Sequence, residues 1–243
     1  MKKVIGILGG MGPGATVDAF SKLVSHTPAK KDQEHIPVII ASLPGIPDRT
    51  ESIIHDGPSP LPSMLNSLKL LESAGASCII MPCNTAHFWY EDLKRATQAI
   101  FLNIIDVTSH RIVSDKRDNV AVLATTATVR SGLYQKKLLK EGVNCIVPDD
   151  INQQKIMQSI MAYKAGDFSK AYEIMVSYVK KLECQGVNTF IMGCTEIPLI
   201  LNPLTQFDAE KFIDTTEELI KEAIKWYYDD SRSDFRKNID ILW

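Results

Sequence analysis

No apolar run in the 243-residue sequence approaches the ~20 residues that cross a bilayer, which excludes a transmembrane helix. Residues 1–12 open with two lysines and a short apolar run. Gly6, Gly9, Gly10 and Gly12 interrupt that run and no cleavage-type segment follows, so a first buried strand is expected rather than a secretory leader. Cysteine is sparse: five residues, an odd number without framework spacing, argue against a disulfide scaffold and for a reducing, cytoplasmic compartment. An excess of charge of one sign is also missing. With 27 Lys+Arg against 29 Asp+Glu the formal net charge is −2, no basic stripe is present, and nucleic acid is not an expected partner. What remains is an ordinary globular composition, 45% hydrophobic, enough to bury a core as one large α/β domain or two half-size ones.

Short β-branched runs at residues 4–8, 37–41, 78–81, 101–105, 120–124, 144–147, 189–192 and 206–213 read as strands. Helical periodicity marks residues 61–73, 85–100, 134–141, 168–184 and 215–228. The alternation predicts an α/β fold with parallel sheets covered by helices. An internal repeat sharpens this. Leu71, Glu72, Gly75, Ile80, Met81 and Cys83 recur 111 positions later as Leu182, Glu183, Gly186, Ile191, Met192 and Cys194. Each copy reads as a helix end, a glycine cap, a buried strand and a cysteine at the next helix start. Both end alike, with Asp106 and Asp214 at expected strand-to-helix junctions. Two similar halves follow, 1–112 carrying Cys83 and 113–228 carrying Cys194, the last helix free to pack back on the first half. The tail 229–243 either packs on a partner subunit or caps the fold.

Ligands of open parallel sheets bind beyond the carboxyl ends of the strands, so both thiols belong where a site should be, in a cleft between the halves. One cysteine alone reads more readily as a packed core residue; a matched pair reverses that reading. Cys83, in Pro82-Cys83-Asn84-Thr85-Ala86-His87, and Cys194, in Gly193-Cys194-Thr195-Glu196, are expected near helix N-termini, where free N–H groups favour thiolate. Two sulfur acids on opposite walls are what a two-base proton transfer requires. Asn84 and Thr85 can cap a helix or donate hydrogen bonds into the site. Cys78, Cys145 and Cys184 lack such company and are expected in the core.

The loop Gly9-Gly10-Met11-Gly12-Pro13-Gly14-Ala15-Thr16 brings backbone close to whatever lies above the sheet, which makes Met11 a candidate substrate contact. Its glycines formally satisfy a dinucleotide pattern, but the second strand ends in Ala41-Ser42-Leu43 without an acid for a ribose, and that reading is set aside. In the second half Thr125 and Thr126 belong to a hydroxyl-rich loop suited to seat a carboxylate or simply to cap a helix. Arg49 and Lys164 supply one cation per half, which suits a substrate with two carboxylates, although each alone reads as a surface charge. Cys83 and His87 share a helix face as metal ligands would, but no second Cys/His cluster completes a zinc set. A Cys–His hydrolase leaves the second cysteine unused, and His87 is expected to pack or cap near the site.

These motifs, with Gly193-Cys194-Thr195-Glu196-Ile197-Pro198, resemble those of the aspartate/glutamate racemase family, aspartate racemases in particular. The resemblance spans nearly the whole chain. It implies two similar α/β domains with the site in the cleft, often a homodimer, and catalysis without pyridoxal phosphate, metal or nucleotide. It implies further that one thiolate removes the Cα proton while the opposing thiol delivers another, with Cys83 and Cys194 in those positions. Asn84, Thr85 and Thr195 match residues that hold the amino acid, and Arg49 and Lys164 match the basic pair offered to its carboxylates. The glutamate racemase branch differs, with His-Tyr in place of Glu196-Ile197 and Asp-Ser in place of Gly9-Gly10. The expected activity is interconversion of L- and D-aspartate. Glutamate stays open, since one methylene changes selectivity by only ~1–3 kcal/mol. The rivals are a sister isomerase in which cysteine attacks another small acid, and an acidic amino-acid-binding protein without turnover.

Overall fold

The computed structural model describes residues 3–206 and 208–229, so the tail expected at 229–243 lies outside the described residues from 230 onward. The first half runs β1 (Ile5–Gly9), α1 (Pro13–His26), β2 (Val38–Ser42), α2 (Arg49–Ile54), α3 (Leu61–Ser73), β3 (Cys78–Ile80), α4 (Tyr90–Arg95), β4 (Ile100–Phe101) and α5 (Ile104–Ser114). The second runs β5 (Asn119–Ala124), α6 (Thr126–Ser131), α7 (Leu133–Lys140), β6 (Asn144–Ile146), α8 (Asp150–Lys164), α9 (Phe168–Cys184), β7 (Thr189–Gly193), α10 (Ile197–Thr205), β8 (Phe212–Asp214) and α11 (Thr215–Tyr228). All pairings are parallel, and the sheets have the same order, β2-β1-β3-β4 and β6-β5-β7-β8. This is the two-sheet α/β architecture expected from the alternation.

The repeat sets local geometry as well as order. At the end of α3, Ala76 N–H donates to Leu71 O at 3.0 Å with Gly75 at φ +98°; at the end of α9, Val187 N–H donates to Leu182 O at 3.1 Å with Gly186 at φ +87°. These are one helix-terminating motif written twice, and each delivers the chain into a fully buried strand, β3 and β7. Cys78 of β3 pairs with Ile5 of β1, and Thr189, 111 positions later, pairs with Val120 of β5. The glycines after β1 are explained by packing. A Cβ on Gly9 would stand 2.5 Å from the Thr16 side chain, and one on Gly10, at φ +89°, 2.5 Å from the Leu43 backbone.

Three apolar layers result. One lies on the outer face of the first sheet around Leu68, Leu71, Ile79 and Met81, and one on the outer face of the second around Met175, Val179, Phe190 and Met192. Between them a shared layer takes Ile5, Ile7 and Ile80 from one sheet and Val120, Val122 and Ile191 from the other, together with Ile104, Ile112, Leu219, Ala223 and Trp226. Helices α5 and α11 pack on each other in this layer, α5 also against α7 and α11 also against α1. The expected boundary between residues 112 and 113 falls in the last turn of α5.

Several expected elements are shorter or different. The strand expected at 101–105 ends at Phe101, because Asn103 accepts hydrogen bonds from Ile105 N–H (2.8 Å) and Asp106 N–H (3.3 Å) and starts α5. Asp106 therefore sits inside a helix. The true counterpart of Asp214, which accepts from Thr216 and Glu217 N–H, is Asn103, again 111 positions away. Residues 209–211 form a 3-10 turn and leave only Phe212–Asp214 as strand. The helix expected at 85–100 is a 3-10 segment, Thr85–Trp89, followed by α4. Cys184 faces solvent from α9 rather than the core, and Cys145 is half-buried.

Candidate active site

Cys83 and Cys194 leave their sheets just past the C-terminal ends of β3 and β7, and both line one small cavity. Met11 reaches it from the loop after β1, Arg49 from the first turn of α2, Thr125 from the loop after β5 and Lys164 from the last turn of α8. Asn84, Thr85, Thr195 and Glu196, and Asp48 and Thr50 beside Arg49, complete the wall. Of the side chains expected at the site only Thr126 is turned away. It is half-buried, with its hydroxyl accepting from Gln153 Nε2 at 3.3 Å and its N–H meeting Met157 Sδ at 3.4 Å.

The cavity holds about 30 Å3, room for a water or two and far below the ~300 Å3 at which ligand pockets begin. The cleft is therefore closed. A larger concavity of about 870 Å3 lies between α1, α10 and α11, but it contains neither thiol. Lys22 on its wall is bound to Asp18 and, at 2.7 Å, to Asp214, while Lys221 is bound to Glu217 at 2.7 Å and Glu218 at 3.1 Å. The small cavity is the chemically equipped one.

Two hydrogen-bond systems hold the cleft shut. Tyr134, fully buried on α7, donates to Asn84 Oδ1, and Asn84 Nδ2 donates to Thr215 Oγ1 at 3.0 Å, which donates onward to Met192 O at 3.1 Å. Beside it, the hydroxyls of Thr85, Thr125 and Thr128 form a triangle with edges of 2.9, 3.0 and 3.0 Å. Both systems join a residue following Cys83 to side chains of the second half. Burial keeps the Tyr134 phenol protonated and hence a donor.

His87 supports Cys83 from behind. Its Nε2 accepts from Ile104 N–H at 3.1 Å, which leaves Nδ1–H to donate to Cys83 O at 2.8 Å. Burial outweighs the bond to Cys83 O and lowers the His87 pKa to about 4, so the ring is neutral with both nitrogens occupied. It packs and caps, as expected, and is not placed as a metal ligand or base.

Cys194 has different company. Its thiol donates to Glu196 Oε2 at 3.0 Å; Thr195 Oγ1 lies 3.3 Å from the same oxygen, and Lys164 Nζ is 3.3 Å from Oε1. Burial first, and then the Glu196 carboxylate, push the Cys194 thiol well above its usual range, with Lys164 opposing. The expectation that a helix start would favour thiolate thus fails here. Burial and, after it, a carboxylate three ångströms away outweigh the few N–H dipoles. Burial disfavours the charge on Lys164 too, but the Glu196 carboxylate more than compensates and raises its pKa. Arg49 is held by its own loop, donating to Ile46 O (3.3 Å) and Pro47 O (3.1 Å), with Asp48 capping α2 beneath it.

Sequence reasoning did not single out Glu196, Tyr134, Thr128 or Thr215. For Glu196 the signal was its place two residues after a matched cysteine, and for Thr128 its place three residues after Thr125 in the same hydroxyl-rich loop; for Tyr134 and Thr215 none was available, because their partner Asn84 lies 50 and 131 residues away.

The arrangement offers paired sulfur acids, two cations for carboxylates and neutral donors in a water-poor cleft. The family model for Asp/Glu/Hydantoin racemase matches residues 8–223. The aspartate racemase of Picrophilus torridus is 37% identical, with a TM-score of 0.84 over 93% of this chain and 94% of that one. The broad specificity amino-acid racemase RacX of Bacillus subtilis is 28% identical over 92% of this chain and 98% of its own. A glutamate racemase from Francisella tularensis, solved with D-glutamate, shares the fold at 17% identity and a TM-score of 0.67, over 95% of this chain and 82% of that one.

Proposed function

The chain belongs to the Asp/Glu/hydantoin racemase family and is an amino-acid racemase; from that premise we propose that it interconverts L- and D-aspartate, with Cys83 and Cys194 as the two acid–base groups. One observation carries the reading: both thiols, Arg49 and Lys164 line a single cavity between the halves. Two cations match the two carboxylates of aspartate, and fixing both ends aligns Cα between the sulfurs. A thiolate on one wall takes the Cα proton while the thiol on the other returns one to the opposite face. Positive charge and the hydroxyls of Thr85, Thr125 and Thr195 stabilise the carbanion-like transition state. Neither step calls for a cofactor.

Aspartate is preferred to glutamate because the aspartate racemase of Picrophilus torridus shares 37% identity over 93% of this chain. Entry requires the cleft to part, which breaks the hydrogen bonds that join Asn84 and Thr85 to the second half. The reading is completed by a homodimer in the cytoplasm, where five free thiols persist; light scattering at several concentrations tests the dimer. Among the described residues no helix is long and apolar enough to cross a membrane.

The deciding experiment is proton NMR of L-aspartate with reduced enzyme in D2O, followed by chiral analysis and repeated with L-glutamate. Deuterium at Cα accompanied by D-aspartate, faster than the corresponding change in glutamate, is the expected result. Exchange of glutamate alone reverses the preference, and exchange of neither removes both acids as substrates.

A further inference from the structure

Glu196 touches three members of the site at once, and the described residues give Cys83 no carboxylate partner of this kind. Its Oε2 accepts from the Cys194 thiol at 3.0 Å and meets Thr195 Oγ1 at 3.3 Å, while Oε1 faces Lys164 Nζ at 3.3 Å. The Glu196 side chain is only 9% exposed, and a Cβ on Gly12 of the opposite half would stand 4.0 Å from Oε1. Glu196 is therefore closed in on both sides of the cleft. Such a carboxylate stabilises a neighbouring S–H as hydrogen-bond acceptor and destabilises the corresponding thiolate by like charge.

We infer that Glu196 is a positioning residue that makes the resting site asymmetric: it holds Cys194 as the protonated thiol and occupies Lys164 until a substrate carboxylate takes its place. The inference rests on the racemase reading above. Cys83 is then the resting base. The Cα–H bond breaks with its proton passing to the Cys83 sulfur and its electron pair staying on the substrate. The Cys194 S–H bond breaks next, and its proton forms the new Cα–H bond on the other face. The Cys194 thiolate left behind faces Glu196; uptake of a proton at Cys194 together with loss of one from Cys83 to solvent, or the reverse reaction, restores the resting form. Other charges facing this thiol are few: Lys164 from α8 lies nearest, Arg49 and Asp48 line the same cavity from the start of α2, and the Tyr163 phenol lies within electrostatic reach of Glu196.

Rate constants for the two directions cannot reveal the asymmetry. Enantiomers have equal free energy, so kcat/KM is the same from L and from D whatever the resting form. The test is alkylation of substrate-free protein by iodoacetamide across a pH series, with each cysteine followed by peptide mass spectrometry. It requires no turnover, so it can fail while racemisation stands, and can succeed if the substrate proves to be another acid. In the wild type, Cys194 is expected to label at least about tenfold more slowly than Cys83 near neutral pH, since the thiolate is the reactive form. In Glu196→Gln the Cys194 midpoint should fall by about one pH unit or more, a roughly tenfold faster labelling at fixed pH, with Cys83 unchanged. Glu196→Asp should retain the slow labelling. Lys164→Met is a second probe, because removing the cation leaves the repulsion uncompensated and should slow Cys194 further. An identical Cys194 pH profile in wild type, Glu196→Gln and Lys164→Met overturns the inference, as does equal labelling of both thiols in the wild type.

Discussion

The two halves share a backbone and differ in the company each gives its cysteine. Strand order, the glycine-terminated helix and the asparagine or aspartate cap coincide at one offset, so the positions of Cys83 and Cys194 are duplicated. Their neighbours are not. Cys83 is backed by neutral His87 and followed by Asn84 and Thr85, which reach across the cleft; Cys194 is followed by a carboxylate that binds its own thiol and a lysine. At the position matching His87 stands Pro198, and at that matching Asn84 stands Thr195. The repeated backbone brings two thiols to one cavity, and the side chains around them give each a different environment.

The strongest way to break the comparison is to remove each sulfur in turn. Cys83→Ser and Cys194→Ser are each expected to lose about 10²–10⁴-fold in racemisation, the usual contribution of a positioned acid or base. Chiral chromatography of the product measures it, and full activity in either variant would end the two-base scheme.

His87 gives a one-sided pH dependence. Its folded pKa of about 4 lies below its unfolded value near 6.5, so both states are neutral above 6.5 and the unfolded chain alone takes up a proton below it. Stability should fall by about 3 kcal/mol between pH 6.5 and 4 through this group. Urea unfolding across that window should show the slope in the wild type and a shallower one in His87→Gln. Pro198 contributes no such term, so the slope belongs to the first half alone.

Tyr134→Phe leaves Asn84 Oδ1 without its buried donor at an expected cost of about 1–3 kcal/mol. The melting temperature should fall by roughly 2–4 °C per kcal/mol. A drop in kcat alongside would link the latch to the spacing of the sulfurs.

The smallest effect compares the caps. Asn103→Ala should cost about 1 kcal/mol, and Asp214→Ala somewhat more, because Asp214 also pairs with Lys22. Equal melting temperatures for the two variants would show that this ion pair adds nothing.

Much of this was legible in the sequence. Parallel strands buried on both faces carry no polar alternation to confuse them, and the repeat supplied its own control, so β1, β5, α3, α9 and α11 stand close to where periodicity puts them. What escaped depends on tertiary context. Ile104-Ile105-Asp106-Val107 has the β-branched look of a strand and becomes helix because one asparagine side chain turns the chain. Helix α8 exposes Ile151 and Met161 while burying Asn152 and Gln153, so it lacks a clean apolar face to read. The cysteines were found because they match; Tyr134 and Thr215 were not, because a buried hydroxyl acquires meaning only when its partner from the other half arrives.

The packing of α5 on α7 and of α11 on α1 means that each half closes its core with a helix lent to the other. Cut in the loop before β5, neither fragment would own all its walls; mixed together, the two should reassociate as a heterodimer, the arrangement two copies of a single ancestral half would adopt by exchanging their last helices.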